Sequence, residues 1–399
     1  MTALHQWATR ALLPFLLLLG LHGAAQNTVT VMTWNLLNIY PSSTNRVPYS
    51  RTVTDSMLPD ILAVQEVHGL EAARMFQTEV LQGRLALAPF TDGYDSDRAL
   101  FYDSLKFAVA GAEAIGTNLR DINKVSLVHL PSGDTVHTYT VHLKAGASST
   151  NRLNRNQEVM SLRQSTNALP AGSLFLLFGD VNMYQSSEPG YARLLLQDAS
   201  GYFIDPIPVE GTWNNAAFAA YHTQSPRTRS FGGGAAGGLD DRFDFILFSQ
   251  AILDGQRMGY VAESTWPVGN DGLHHNDSIN HPPNALVSQQ MADALHYASD
   301  HLPVVAQFVF YHTTSVYQLP NAQGLVRLYP NPTHGRCSVQ LPDGRGYTVQ
   351  VVDMLGKQVV ALPNQQGTVQ LNLAGLAAGV YGVVVHNAHL KATAKLVLE

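Results

Sequence analysis

Residues 174–178, Leu-Phe-Leu-Leu-Phe, form an apolar run that ends on Gly179, with Asp180 and Asn182 just beyond. Such a run predicts a strand buried on both faces. Polar groups at its carboxyl end face the crevice where open sheets bind ligands. Gly-Asp and Asn are also ordinary turn residues, so the stretch by itself leaves a turn open. Residues 60–67 read as a second buried strand, again with polar groups at its end, Gln65 and Glu66. Residues 29–35 alternate and are β-branched, which predicts a strand ending at Asn35. Hairpins are predicted from 97–102 with 106–109, and from 125–130 with 135–143. Helices are expected over 51–58, 69–81, 151–169, 192–197 and 291–297. Residues 241–248 predict a strand with Arg242 and Asp244 in its first half, and the last strand of this region runs through Phe310.

The texture changes at both ends. Residues 1–25 combine a short positive region, a compact apolar run and small residues before Gln26, the pattern of a cleaved secretory leader. The apolar run is too short to span a bilayer comfortably, so no stable membrane span is expected. Past Tyr317 come short alternating strands separated by Gly, Pro and Asn, which predict a small all-β sandwich. The expected organisation is a leader over 1–25, a catalytic domain over 26–313, a linker over 314–326 and a tail domain over 327–399.

The chain has 399 residues, 45% of them hydrophobic, enough for more than one packed core. A net charge of -6 argues against a tight, sequence-independent DNA binder. It leaves open an enzyme that holds phosphodiesters through a bound cation, because the cation supplies positive charge locally. The lone cysteine, Cys337, excludes an intramolecular disulfide and a cysteine-based zinc site, while 16 histidines leave imidazole chemistry available.

Polar residues recur at strand ends: Asn35, Glu66, His142, Asp180 with Asn182, and Asp244, with Asp300 and His301 just before the last strand. Hard oxygen ligands and imidazoles without a thiol suit Mg²⁺ or Mn²⁺ better than zinc. Two histidines distant in sequence could serve as base and acid across a phosphorus centre. Plainer readings stand beside these. Asp244 could pair with Arg242, His142 could lie at the surface, and Asp97 and Arg98 could form an exposed ion pair. His274, His275 and His281 read as solvated, with a second metal site as the alternative, and Arg227 and Arg229, which could touch substrate, read as members of a solvated loop beside the Gly-rich run 232–238.

Taken together, Trp34-Asn35, Gln65-Glu66, His142-Leu143, Gly179-Asp180-Val181-Asn182, Arg242-Phe243-Asp244 and Ser299-Asp300-His301 resemble, in order, the motif series of the endonuclease/exonuclease/phosphatase superfamily. The resemblance covers about residues 28–311. It implies an α/β fold, a four-layer α/β sandwich with two central mixed β-sheets, and divalent-metal hydrolysis of a phosphoester. It also implies roles. Glu66 is the main metal ligand, with Asn35 beside it and Asp300 adding a contact. His301 is the general base, and Asp244 orients its ring. Asp180 and Asn182 hold water and phosphate, and His142, at a position where secreted deoxyribonuclease-like and sphingomyelinase-like members carry histidine, protonates the leaving oxygen. Arg98, beside Asp97, would contact phosphate. Mg²⁺ or Mn²⁺ is the implied cofactor, with room for a structural Ca²⁺.

The tail resembles the C-terminal sorting domain of the Bacteroidetes type IX secretion system, through residues 328–335, 352–357 and 376–381. That implies a secreted or surface location and the secretion machinery as a partner; a carbohydrate-binding or adhesive module is the alternative. The expected function is an extracellular, deoxyribonuclease-like nuclease, a monomer with nucleic acid as substrate. The alternatives are a phosphodiesterase or phosphatase on small or lipid head-group substrates, sphingomyelinase-like, and an inactive surface binding module.

Overall fold

The computed structural model describes residues 27–93, 95–311, 326–341, 346–353, 357–387 and 391–399. The expected leader, and the expected linker up to residue 325, lie outside the described residues. The chain divides into two compact units between residues 312 and 313.

The larger unit begins with β1 (Asn27–Ile39), α1 (Val47–Met57), β2 (Ile61–Val67), α2 (Gly69–Met75), β3 (Ala86–Leu87) and β4 (Asp97–Tyr102). The chain then crosses to a second sheet with β5 (Phe107–Ile115), β6 (Ile122–His129), β7 (Thr135–His142), α3 (Ser149–Asn167), β8 (Leu174–Asp180), α4 (Pro189–Leu195), β9 (Phe203–Ile204) and β10 (Asp244–Ser249). It returns to the first sheet through α5 (Gln250–Leu253), β11 (Met258–Tyr260), β12 (Trp266–Pro267), α6 (Gln289–Ala298) and β13 (Val304–Phe310). One sheet has the order β11-β13-β1-β2-β4-β3, with β12 on β13, and the other β5-β6-β7-β8-β10-β9. Each is mixed, because β1 and β2 run parallel, as do β7 and β8, among antiparallel neighbours.

Side-chain alternation builds the layers. Val29, Val31, Ile61 and Ala63 pack against Leu174, Leu176, Phe178 and Ile246 in a core shared by the two sheets. The intervening residues Met32, Trp34, Leu62 and Val64 face outward onto a core that includes Val53 of α1 and Leu295 of α6. On the other side, Phe175, Leu177, Phe245 and Leu247 pack with Val159 and Leu162 of α3 and Leu194 of α4. The result is the expected helix–sheet–sheet–helix sandwich, with β8 buried on both faces. Burying each large apolar side chain contributes about 1.5–3 kcal/mol.

Three local expectations are corrected. Residues 97–102 and 106–109 do not pair as a hairpin: β4 joins β2 and β3, while β5 joins β6 in the other sheet. The turn between them is the crossing point, anchored by Asp103 N on Asp60 O at 2.8 Å and by Lys106 Nζ on Asp60 Oδ1 at 2.7 Å. Alternation marks which face is buried, but not which strand lies alongside. The first helix starts earlier than expected, with Pro48 in its first turn, and α2 continues as a wider π-type turn over Phe76–Val80. Strand β10 begins only at Asp244, because Arg242 is drawn aside to Asp205 Oδ1 and Ile207 O, each at 2.8 Å.

The smaller unit holds β14 (Arg327–Tyr329), β15 (Arg336–Gln340), β16 (Tyr347–Val352), β17 (Gln358–Gln365), β18 (Thr368–Asn372), β19 (Gly379–His386) and β20 (Lys391–Leu398). They form a three-stranded and a four-stranded antiparallel sheet. Cys337, Val339 and Leu371 of one sheet meet Val349, Val383 and Leu396 of the other, so the cysteine is a packing residue. Among the described residues no helix is long and apolar enough to cross a membrane.

Candidate active site

The alternation that builds the inter-sheet core also builds the site. Asn35 shares a face with Val29 and Val31, Asp180 with Leu176 and Phe178, Asp244 with Ile246, and His142 with Val136. All four stand where that core ends. In the second sheet the register sets His142 opposite Asp180, and Asp180 opposite Asp244, so three strands present polar side chains abreast. Gly179, with φ +136°, makes this junction possible: a Cβ there would lie 2.0 Å from Val141 O.

The first sheet contributes through a backbone irregularity. Leu37, Asn38 and Glu66 all have positive φ, between 47° and 59°, and the β1–β2 register shifts between Asn35 and Ile39. Glu66 is thereby turned off its strand's alternation and met by Asn35 Nδ2 at 3.0 Å and Asn38 N at 2.9 Å. Asn35 Nδ2 also reaches Asp180 Oδ2 at 3.2 Å, while Asn35 Oδ1 accepts from Leu37 N at 3.0 Å. Asn35 therefore meets both carboxylates as a donor.

The turn reading and the site reading of Asp180 both hold. Its Oδ1 accepts from Asn182 N at 2.9 Å, a turn in which Asn182 has φ +51° and donates Nδ2 to Leu143 O. Its Oδ2 faces inward, 3.6 Å from His142 Nε2 and 3.8 Å from His301 Nε2. Burial pushes the Asp180 carboxyl up to about 7, and the nearby charges of Asp244 and Glu66 add to the rise, which His301 and Asn35 only partly oppose.

The two imidazoles sit in opposite fields. Burial drives His142 well below the ordinary histidine range, with Arg120, His301, Arg98 and Lys144 acting in the same direction. His142 Nδ1 is buried without a partner. Burial also opposes charge on His301, but Asp244, Asp180 and Asp300 outweigh it and hold its pKa well above the usual range. His301 Nδ1 is 2.7 Å from Asp244 Oδ2, and its Nε2 is 2.6 Å from Gln224 Nε2. The neutral ring accepts from that amide; the protonated ring requires the amide turned to present its oxygen.

Two residues of this arrangement, Gln224 and Thr223, carry no sequence signal. Gln224 lies in an irregular loop. Thr223 Oγ1 accepts from both Phe243 N and Asp244 N, at 3.0 and 3.2 Å. Trp34 Nε1 donates to His301 O at 2.9 Å, and Ser299 Oγ to Asn35 O at 2.6 Å, which ties the two sequence ends of the site together.

Asp97 and Arg98 are buried, not an exposed pair. Asp97 accepts from Gly93 N and Gly69 N, at 2.7 and 3.2 Å. Arg98, 2% exposed, donates to Ser96 O and Asn123 Oδ1, and burial lowers its pKa to about 10. Its charge helps to lower the pKa of His142. Asp244 does not pair with Arg242, which is taken by Asp205. His274 is buried rather than solvated, between Asp271 Oδ1 at 2.8 Å and Pro282 O at 2.9 Å. Arg227 is also buried. A cavity of about 720 Å³ on the outer side of α3 and α4 contains none of the site residues.

The donor chemistry fits a hard divalent cation. Glu66 offers carboxylate oxygens beside Asp180, with which it shares the Asn35 amide, and its charge adds to the rise that burial causes at Asp180. Asp300 Oδ2 accepts from Ala235 N at 2.6 Å, and its Oδ1 is buried without a partner. The larger unit contains no cysteine.

Solved structures similar to the chain include D. rerio TDP2 complexed with single strand DNA product, 13% identical with a TM-score of 0.49, covering 70% of this chain and 98% of that one. The catalytic domain of human Nocturnin with bound sulfate is 16% identical with a TM-score of 0.48, covering 71% and 97%. An endonuclease/exonuclease/phosphatase family protein from Bacteroides thetaiotaomicron is 16% identical with a TM-score of 0.45, covering 71% and 98%. No curated protein matches the chain significantly. Residues 327–399, the smaller unit's strands, match the family described as secretion system C-terminal sorting domain.

Proposed function

We propose that the chain is a secreted, divalent-metal-dependent phosphodiester hydrolase acting on nucleic acid as an extracellular nuclease. The observation that carries it is a pair of buried imidazoles distant in sequence, one at the end of β7 and one just before β13, 3.6 and 3.8 Å from one carboxylate oxygen of Asp180. With a bound cation offsetting the carboxylates that otherwise hold its ring protonated, His301 would take a proton from the attacking water, and Asp244 steadies the imidazolium that forms. His142 protonates the leaving oxygen, and the negative charge of a bound phosphodiester favours its protonated form. Asp180 and Asn182 position water and phosphate. Asn35 steadies both acidic groups. Arg98 adds positive charge that acts on His142. Glu66, with Asp300 nearby in the loop wall, would hold Mg²⁺ or Mn²⁺, which supplies charge that offsets the carboxylates and polarises a phosphoryl oxygen. The tail match points to type IX secretion, hence to a secreted or surface location, with residues 1–25 as the leader.

The test is a substrate panel on the full chain. Plasmid DNA is degraded with Mg²⁺ or Mn²⁺ and protected by EDTA. Hydrolysis of sphingomyelin or of phosphate monoesters with DNA left whole would move the assignment to lipid head-group or small phosphoesters. No hydrolysis of any of them would leave a surface binding module.

A further inference from the structure

A cavity of about 470 Å³ adjoins the site, between the β1–α1 connection, the loop around residues 227–232 and the end of α6. That volume is in the range of small-molecule pockets. Leu37 and Asn38 form its wall toward the acidic cluster, and Asn38 N is the donor to Glu66 Oε2. Aromatic rings line the rest. Tyr49 and Tyr297 lie 5.2 Å apart, and Phe231 is 5.6 Å from Tyr297. Tyr49 and Tyr297 are 37% and 41% exposed, and neither belongs to the core that packs beneath α1 and α6. Tyr49 and Tyr297, gathered with Phe231 at one opening, offer flat faces beyond their contacts with one another and with His296.

Behind them is Arg227, 1% exposed, with its guanidinium 4.2 Å from the Phe231 ring centroid. Its Nε has no hydrogen-bond partner, and its bond to Gly233 O is long, 3.4 Å. Arg46 lines the same cavity, but its donors are spent on Leu36 O, Asn38 O and Ala298 O, which shape the β1 irregularity. The Asp300 charge acts on Arg227, but its unmet N–H still costs free energy unless a further acceptor meets it. Flat aromatic faces beside such a cation match a planar ring joined to a phosphate.

We propose that this cavity is a nucleotide subsite. It takes the nucleobase next to the cleaved phosphodiester against Tyr49, Phe231 and Tyr297, with the phosphate flanking that base on Arg227. The proposal rests on the nucleic-acid reading of the adjoining site.

The test uses the full chain carrying His301→Ala, so that bound DNA is not cut. Fluorescence anisotropy with Mg²⁺ compares a labelled five-nucleotide DNA with copies carrying one abasic site at each position in turn. Loss of the base at one position weakens binding by about tenfold, the effect of one stacked base. Adding Tyr297→Ala, a change at an exposed residue, erases that difference. Equal affinity at every abasic position, or a penalty that survives Tyr297→Ala, overturns the subsite. Cleavage of the intact oligonucleotide by the unsubstituted chain is scored separately. Absence of cleavage counts against the nuclease reading, whereas cleavage without any abasic penalty counts against the subsite alone.

Discussion

Nδ1 of His301 lies 2.7 Å from Oδ2 of Asp244, both side chains are buried, and 57 positions of chain separate them. The contact fixes which ring nitrogen carries the proton and turns Nε2 toward Asp180. Asp244→Asn keeps the shape but removes the charge and can present its NH₂ to Nδ1, which favours the wrong tautomer. The expected result is a fall in kcat for DNA cleavage of about 10²–10⁴-fold, with KM little changed. A kcat equal to that of the unsubstituted chain would take this pair out of the mechanism.

Gly179 is where strand conformation and site geometry meet. Its φ of +136° is disfavoured for any other residue, and a Cβ would sit 2.0 Å from Val141 O, which is backbone and cannot swing aside. Gly179→Ala must push β7 and β8 apart between His142 and Asp180. A loss of about 3 kcal/mol or more in urea unfolding is expected, together with reduced activity. An alanine variant with unaltered stability would mean that the junction yields.

Much of this site was legible because apolar alternation and polar strand ends are local signals. Asn35, His142, Asp180 and Asp244 continue the period of the residues before or after them. The turn of Glu66 out of that period was not legible, since it depends on the positive φ of Leu37, Asn38 and Glu66 itself. Gln224 and Arg227 were missed or misread for a different reason. They lie in irregular chain where no period exists, and a charged residue there reads as solvated. The separation of β4 from β5 was hidden because a strand's pattern is the same whichever sheet receives it. Fold class survived these errors, whereas the inventory of side chains around His301 did not.

Arg155 and Glu188 form a buried pair that braces both turns leaving the site strands. Arg155 donates Nε and Nη2 to Glu188 Oε2 at 3.0 and 2.8 Å, and Nη1 to Lys144 O and Gly146 O, just past His142. Glu188 Oε1 accepts from Tyr184 N at 2.9 Å, just past Asn182. Arg155→Met leaves two carbonyls without a donor and a buried carboxylate with only Arg152 Nε, 3.9 Å away, beside it. The expected cost is about 3–5 kcal/mol in chemical unfolding. The double variant with Glu188→Leu should recover part of it, and a single variant as stable as the parent would show that water replaces the guanidinium.

Asp241 supplies a pH dependence separate from the reaction. Burial raises its carboxyl to about 7, the neighbouring Asp240 adds to the rise, and Oδ1 has no hydrogen-bond partner. Between about pH 4, where an unfolded aspartate ionises, and pH 7, the native chain holds a proton that the unfolded chain has released. Stability from this group is therefore fully present below about pH 4 and is lost as pH rises through 7. Asp241→Asn removes the titration. The variant should be more stable than the parent at pH 8, on the order of 2 kcal/mol, with the difference shrinking as pH falls toward 4. Melting temperatures of both proteins measured from pH 4 to pH 8 check this, and parallel curves would show that Asp241 ionises at an ordinary carboxylate pH in the folded chain.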